Sequence, residues 1–155
     1  MDDLVQWLGA QLDEDERIAR AATAGPWSRM GQRVLDPSPP SDRLGVGMAV
    51  GHAAASADFN ETADHIAAWD PARVLREIDA KRRLLDLHGL VHRDVYWLAE
   101  DGEEETDEIP VCGHCVPRHS YLPHHSKVPE GVCDTVRLLA LSYADRPGYR
   151  EEWRP

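Results

Sequence analysis

His65-Ile66-Ala67-Ala68-Trp69-Asp70-Pro71-Ala72-Arg73-Val74-Leu75-Arg76-Glu77-Ile78 carries the strongest structural signal in the chain. Asp70 followed by Pro71 reads as a helix start. The carboxylate can accept a bond from an orphan N–H of the first turn, and the fixed φ of proline suits the first helical position. Val74, Leu75, Ile78, Leu85 and His88 then share one face at helical spacing. The spacing predicts a helix over 71–88, stopped by Gly89, with His88 at the edge of the core. Glu77 and Lys81 form an oriented i,i+4 pair on it. Upstream, Asn60 or Thr62 is a candidate cap for a shorter helix through Ala68, so a central helix pair is expected.

Outward from this pair, Leu4, Trp7, Leu8, Leu12, Ile18, Ala19 and Ala22 predict an N-terminal helix over 3–22, ended by Gly25-Pro26. Trp27–Leu35 and Arg43–Val50 read as the strands of a hairpin with a long loop at 36–42, and Leu90–Leu98 as a further strand. From Glu100 to Glu108 seven of nine residues are acidic, which reads as a solvated mobile loop over 99–110. A C-terminal helix is expected over about 132–143, and Tyr149 and Trp153 should pin the tail to the body. The expected class is α+β: N-terminal helix, small antiparallel sheet, central helix pair and C-terminal helix. It is read as one domain over 1–155. Residues 1–98 form its core, 99–110 the acidic loop, 111–133 a Cys/His loop and 134–155 the last helix and tail.

Composition limits the function. A chain of 155 residues with 42% apolar and 29% charged side chains suits one folded domain. A formal charge of −11 repels phosphate, so nucleic acid is not the expected partner. No apolar run approaches the roughly 18 residues of a membrane span, and the acidic start is unlike a secretory signal. Three cysteines cannot all pair within one chain, which points to the cytoplasm. Arginine outnumbers lysine 15 to 2, as in GC-rich bacterial genomes.

The sharpest chemical pattern is Cys112-x2-Cys115-x3-His119, followed by Cys133. A C-x2-C turn aims two thiolates at one point, and a histidine and a returning cysteine complete a tetrahedral set suited to zinc. His124 and His125 are rivals for the fourth position, and His114 lies between the pair. Four protein ligands leave no open position for a substrate, so the expected zinc is structural. Cys-Gly-His-Cys also looks like a redox dithiol, but no thioredoxin-like run of strands surrounds it. No nucleophile elbow, P-loop or G-x-G-x-x-G is present. No catalytic residue is therefore assigned, and the chain is expected not to be an enzyme.

Three stretches together carry a resemblance. They are Met1–Val5 through Ala21-Ala22-Thr23-Ala24-Gly25-Pro26-Trp27, then His65-Ile66-Ala67 with Asp70–Glu77, and finally Thr135–Ala140 through Tyr149–Pro155. They resemble an uncharacterised family of short proteins from Streptomyces, other actinobacteria and their phages, filed as a domain of unknown function. A looser resemblance is to small early-region accessory proteins of temperate phages. The resemblance implies no activity. It implies a Cys/His set present in many relatives and missing from others, which fits zinc as a local staple. Gly25-Pro26-Trp27 reads as a helix stop with an aromatic anchor. Two roles are expected. The first is a non-enzymatic interaction or accessory module, with a protein partner. The alternative is a nucleotide-class ligand held by Trp27 and Trp69, with Arg29 or Arg73 at the pocket mouth.

Overall fold

The computed structural model describes residues 3–37, 53–99, 101–116 and 131–155. Its elements are α1 (Asp3–Ala21), β1 (Ser28–Met30), β2 (Arg33–Leu35), β3 (Ala53–Ser56), α2 (Asn60–Ala68), α3 (Pro71–Leu87), β4 (Leu90–Leu98), β5 (Glu104–Cys112) and α4 (Asp134–Leu141). A 3-10 turn follows at Glu151–Trp153. This is the expected α+β class. The chain forms two compact units, one of Met1–Gln11 with Lys81–Pro155 and the other of Leu12–Ala80.

In the Leu12–Ala80 unit, α2 packs on a three-stranded antiparallel sheet of order β1-β2-β3. Residues 27–35 are not the single strand expected. Gly31 takes a left-handed φ of 63° and turns the chain, so that Met30 pairs with Arg33 and a tight hairpin forms within the stretch. The expected partner strand, Arg43–Val50, lies outside the described residues; β3 is the strand that pairs with β2. Val34 and Ala63 are fully buried. α2 starts after Phe59 without a side-chain cap, so neither Asn60 nor Thr62 caps it.

Asp70 does more than cap α3. Its Oδ1 accepts the Arg73 N–H at 2.7 Å and its Oδ2 accepts the Trp27 N–H at 3.1 Å, with Asp70 buried. A Cβ at Gly25 would stand 2.8 Å from that carboxylate, so only glycine lets the chain pass. The Gly-Pro-Trp segment is thus tied to the start of α3, which accounts for Gly25-Pro26-Trp27 without a ligand. The side chain of Glu77 pairs with Arg73 at 2.9 Å rather than with Lys81, whose ammonium donates to the Tyr143 hydroxyl at 3.0 Å.

In the other unit, β4 and β5 form a two-stranded antiparallel ribbon, in register from Leu90 opposite Cys112 to Leu98 opposite Glu104. Most of the acidic run is therefore strand, not the mobile loop expected over 99–110. Gly102, at φ 84°, closes the turn, and backbone pairing along β4 outweighs the poor strand propensity of Glu and Asp. The residues Glu104–Glu108 remain exposed, which removes the cost of burying charge. Val111, Val116, Val132, Val136, Ala140 and Tyr143 are buried in this unit. The tail is pinned as expected: Trp153 is buried, and Trp7 lies against Tyr149 and Trp153 with ring centroids 5.6 and 5.4 Å apart. The Trp7 indole N–H donates to the Pro147 carbonyl at 3.0 Å. Among the described residues no helix is long and apolar enough to cross a membrane.

Removing the shared carboxylate at Asp70 breaks two bonds at once. Asp70→Ala is expected to cost about 2 kcal/mol, combining a lost helix cap with an orphaned Trp27 N–H. A lower urea midpoint checks this, and an unchanged midpoint refutes it.

Candidate metal centre

The ribbon register builds the site. Because Leu90 stands opposite Cys112, the chain entering β4 and the chain leaving β5 run side by side. His88 closes the C-terminal end of α3, with its N–H donating to the Leu84 carbonyl at 3.0 Å. Beyond β5 the chain folds into a tight turn: the Val116 N–H donates to the Cys112 carbonyl at 3.0 Å and the Cys115 N–H to Cys112 Sγ at 3.4 Å. The Gly113 N–H reaches the Gly89 carbonyl at 2.9 Å, and Arg93 donates to the Gly113 carbonyl at 2.9 Å. Both contacts hold the turn against the α3–β4 junction. The Gly131 N–H donates to the Pro110 carbonyl at 2.8 Å and returns the chain to β5, so Cys133 arrives at the start of α4.

The result is four donors, one each from His88, Cys112, Cys115 and Cys133, all within 4.8 Å of one another. His88 Nδ1 lies 3.4 Å from Cys112 Sγ, 3.6 Å from Cys115 Sγ and 3.4 Å from Cys133 Sγ. A tetrahedral ion with metal–sulfur bonds of about 2.3 Å and metal–nitrogen bonds of about 2.0–2.1 Å needs S···N edges of roughly 3.6 Å. The observed separations match that spacing, so the group can hold a metal.

Three of the sequence-predicted ligands, Cys112, Cys115 and Cys133, are thus brought together. His119, the expected fourth, and its rivals His124 and His125 lie outside the described residues. The histidine that the described residues supply is His88, which the sequence places only at the core edge. It is indeed buried, at 8% exposure, and its ring lies edge-on to His114 at 4.8 Å. Its signal in the sequence was position: it immediately precedes Gly89 and β4, and the strand partner of β4 leads directly into Cys112.

Electrostatics separate the sulfurs. Hydrogen bonding with Cys112, then burial and the bond with Cys133, push the Cys115 thiol up to about 12. Burial resists ionisation of Cys133, but the Val136 N–H, the neighbouring sulfurs and the Thr135 N–H carry its thiol below the ordinary value. A metal must therefore displace a tightly held proton from the cluster, and affinity falls as pH falls.

The ligand-binding residues proposed from sequence sit in the Leu12–Ala80 unit. Trp27 and Trp69 do line one cleft, of about 350 Å³, together with Asp15, Ile18, Pro71 and Val74. Neither arginine lines it. Arg29 is ion-paired with Asp64, and Arg73 pairs with Glu77 while its guanidinium covers the Trp69 ring at 4.0 Å.

Fold and site together define a small α+β protein with a three-cysteine, one-histidine cluster suited to a metal. The chain belongs to a family of unknown function, DUF6221, whose model matches residues 1–155. No curated protein and no solved structure matches it.

His88→Ala is expected to weaken metal binding at least tenfold in a competition titration against a coloured chelator, whereas His119→Ala leaves it unchanged. The reverse order would assign the fourth position to His119. In the wild-type chain, lowering the pH from 7.5 to 5.5 should weaken binding further, because thiol protons compete with the metal. A pH-independent affinity would show that the thiols are not ligands.

Proposed function

We propose that this chain is a non-enzymatic binding module in which a zinc ion, held by His88, Cys112, Cys115 and Cys133, is structural. The observation that carries the reading is the convergence of four soft and borderline donors at tetrahedral spacing. Thiolate and imidazole donors select zinc in a reducing compartment, and four protein ligands leave no position for substrate. The zinc joins the end of α3, the end of β5 and the start of α4. It fixes a segment whose ordering otherwise costs about 1–2 kcal/mol per residue of backbone entropy.

A protein is the partner this reading favours. The charge of −11 supports it against nucleic acid, and Phe59 and Trp69 expose large apolar surface, at 69% and 44%. Such a module would work in the cytoplasm, where Cys112, Cys115 and Cys133 stay free. An actinobacterial or phage setting rests on the sequence resemblance and the arginine bias.

Elemental analysis of the purified chain should give one zinc per chain. Chelation should lower the melting temperature yet leave much of the helical signal, since the Leu12–Ala80 unit holds none of the four ligands. A zinc content near zero, unchanged by Cys112→Ser, overturns the metal reading. Turnover in a broad substrate screen overturns the non-enzymatic one.

A second reading is favoured by one observation, the shared cleft of Trp27 and Trp69. A nucleotide-class ligand would stack there through its base. With Arg29 and Arg73 engaged by Asp64 and Glu77, little charge is left for a phosphate. A thermal-shift screen with nucleosides and nucleotides tests it. A rise in melting temperature at millimolar ligand supports it, and no rise dismisses any tighter affinity.

A further inference from the structure

The three sulfurs of the cluster are not equivalent. Cys112 is buried and accepts the Cys115 N–H. Cys133 is half-buried at the start of α4, where the Val136 N–H donates to its backbone carbonyl at 3.0 Å. Cys115 is exposed, and its own backbone N–H goes to Cys112 Sγ. Hydrogen bonds to a metal-bound thiolate withdraw electron density from the sulfur, and burial denies access to reagents. Both effects shield Cys112, partial burial shields Cys133, and exposure leaves Cys115 open to attack.

The charge of the site adds to this. Three thiolates and a neutral imidazole on a divalent ion leave a formal charge of −1, which favours a reaction that removes one thiolate charge. Metal coordination also keeps the sulfur deprotonated at neutral pH, so its lone pair is available.

We propose that Cys115 is a modification site, at which the metal-bound thiolate takes an alkyl group from a small soft carbon electrophile. The inference rests on the zinc reading above. In the step, a lone pair of Cys115 Sγ forms a bond to the electrophilic carbon, the bond from that carbon to its leaving group breaks, and the leaving group departs with the electron pair. No oxidant, reductant or proton is required. The product is a neutral thioether, a weaker zinc ligand than the thiolate it replaces. Alkylation therefore loosens the clip between the Cys112 turn and Cys133 and converts a chemical event at one exposed atom into local release of the chain.

The test uses the full-length, zinc-loaded chain and iodoacetamide at neutral pH. The zinc content is measured first. Peptide mass spectrometry then locates the carbamidomethyl group at short times, and a zinc-responsive dye follows metal release. Cys115 is expected to be labelled at least tenfold faster than Cys112 or Cys133, with zinc release tracking that label. In Cys115→Ser, alkylation-driven zinc release should slow at least tenfold. If that variant does not fold, the labelling order in the wild-type chain decides. A chain that holds zinc but labels its three cysteines at equal rates, or Cys133 first, overturns this inference alone. A chain that holds no zinc overturns the zinc reading and this inference with it.

Discussion

The register of the β4–β5 ribbon is the constraint on which the metal site depends. Placing Leu90 opposite Cys112 sets the end of α3 beside the turn that follows β5. A slip of one residue would turn every side chain of a strand to the opposite face and carry Cys112 away from His88. The register is therefore held at several points. Gly113 bonds back to Gly89, Arg93 to the Gly113 carbonyl, and Gly131 to Pro110. These are backbone-directed contacts, so the site has a frame of its own before any ion enters it. Preorganisation of this kind leaves less chain entropy to be overcome by the ligand bonds.

The structural role proposed for the centre follows from its donor set. All four donors come from the protein, and they lie at the end of α3, at and just after the end of β5, and at the start of α4. The exposed outer half of β5 carries Glu104, Glu105, Asp107 and Glu108, which repel one another along the ribbon. In the proposed reading, an ion at the inner end of the ribbon would anchor β5 where its residues become buried. The Leu12–Ala80 unit is organised differently. There Asp70, a single buried carboxylate, joins the start of α3 to Trp27, and α2 covers the short sheet.

Much of this was legible in the sequence, and the reasons differ by element. α1 and α3 follow from apolar periodicity and from Asp70-Pro71, signals that lie within one helix, whereas α2 is expected from Asn60 or Thr62 as a cap that it does not use. β4 was legible from its apolar and aromatic content. β5 was not, because Glu104–Glu108 has the composition of a solvated loop, and only pairing with β4 makes it a strand. That one misreading hid the fourth donor. With 99–110 as a loop, nothing in the sequence places His88 near Cys112, and the histidines within reach of the motif are those of the cysteine-rich stretch. The three cysteines were legible because C-x2-C is a local motif. The histidine of the cluster was not, because its place comes from tertiary pairing across 24 residues. Likewise, Trp27 and Trp69 do share a cleft, but the partners of Arg29 and Arg73, Asp64 and Glu77, could be read only from the fold.

The most direct test of the account is X-ray absorption at the zinc edge of the metal-loaded chain, compared with the His88→Ala variant. The account predicts three sulfur scatterers at about 2.3 Å and one nitrogen at about 2.0–2.1 Å in the wild-type chain, with the nitrogen lost or replaced by oxygen in the variant. A shell with fewer than three sulfurs, or a nitrogen that persists unchanged after His88→Ala, would contradict it.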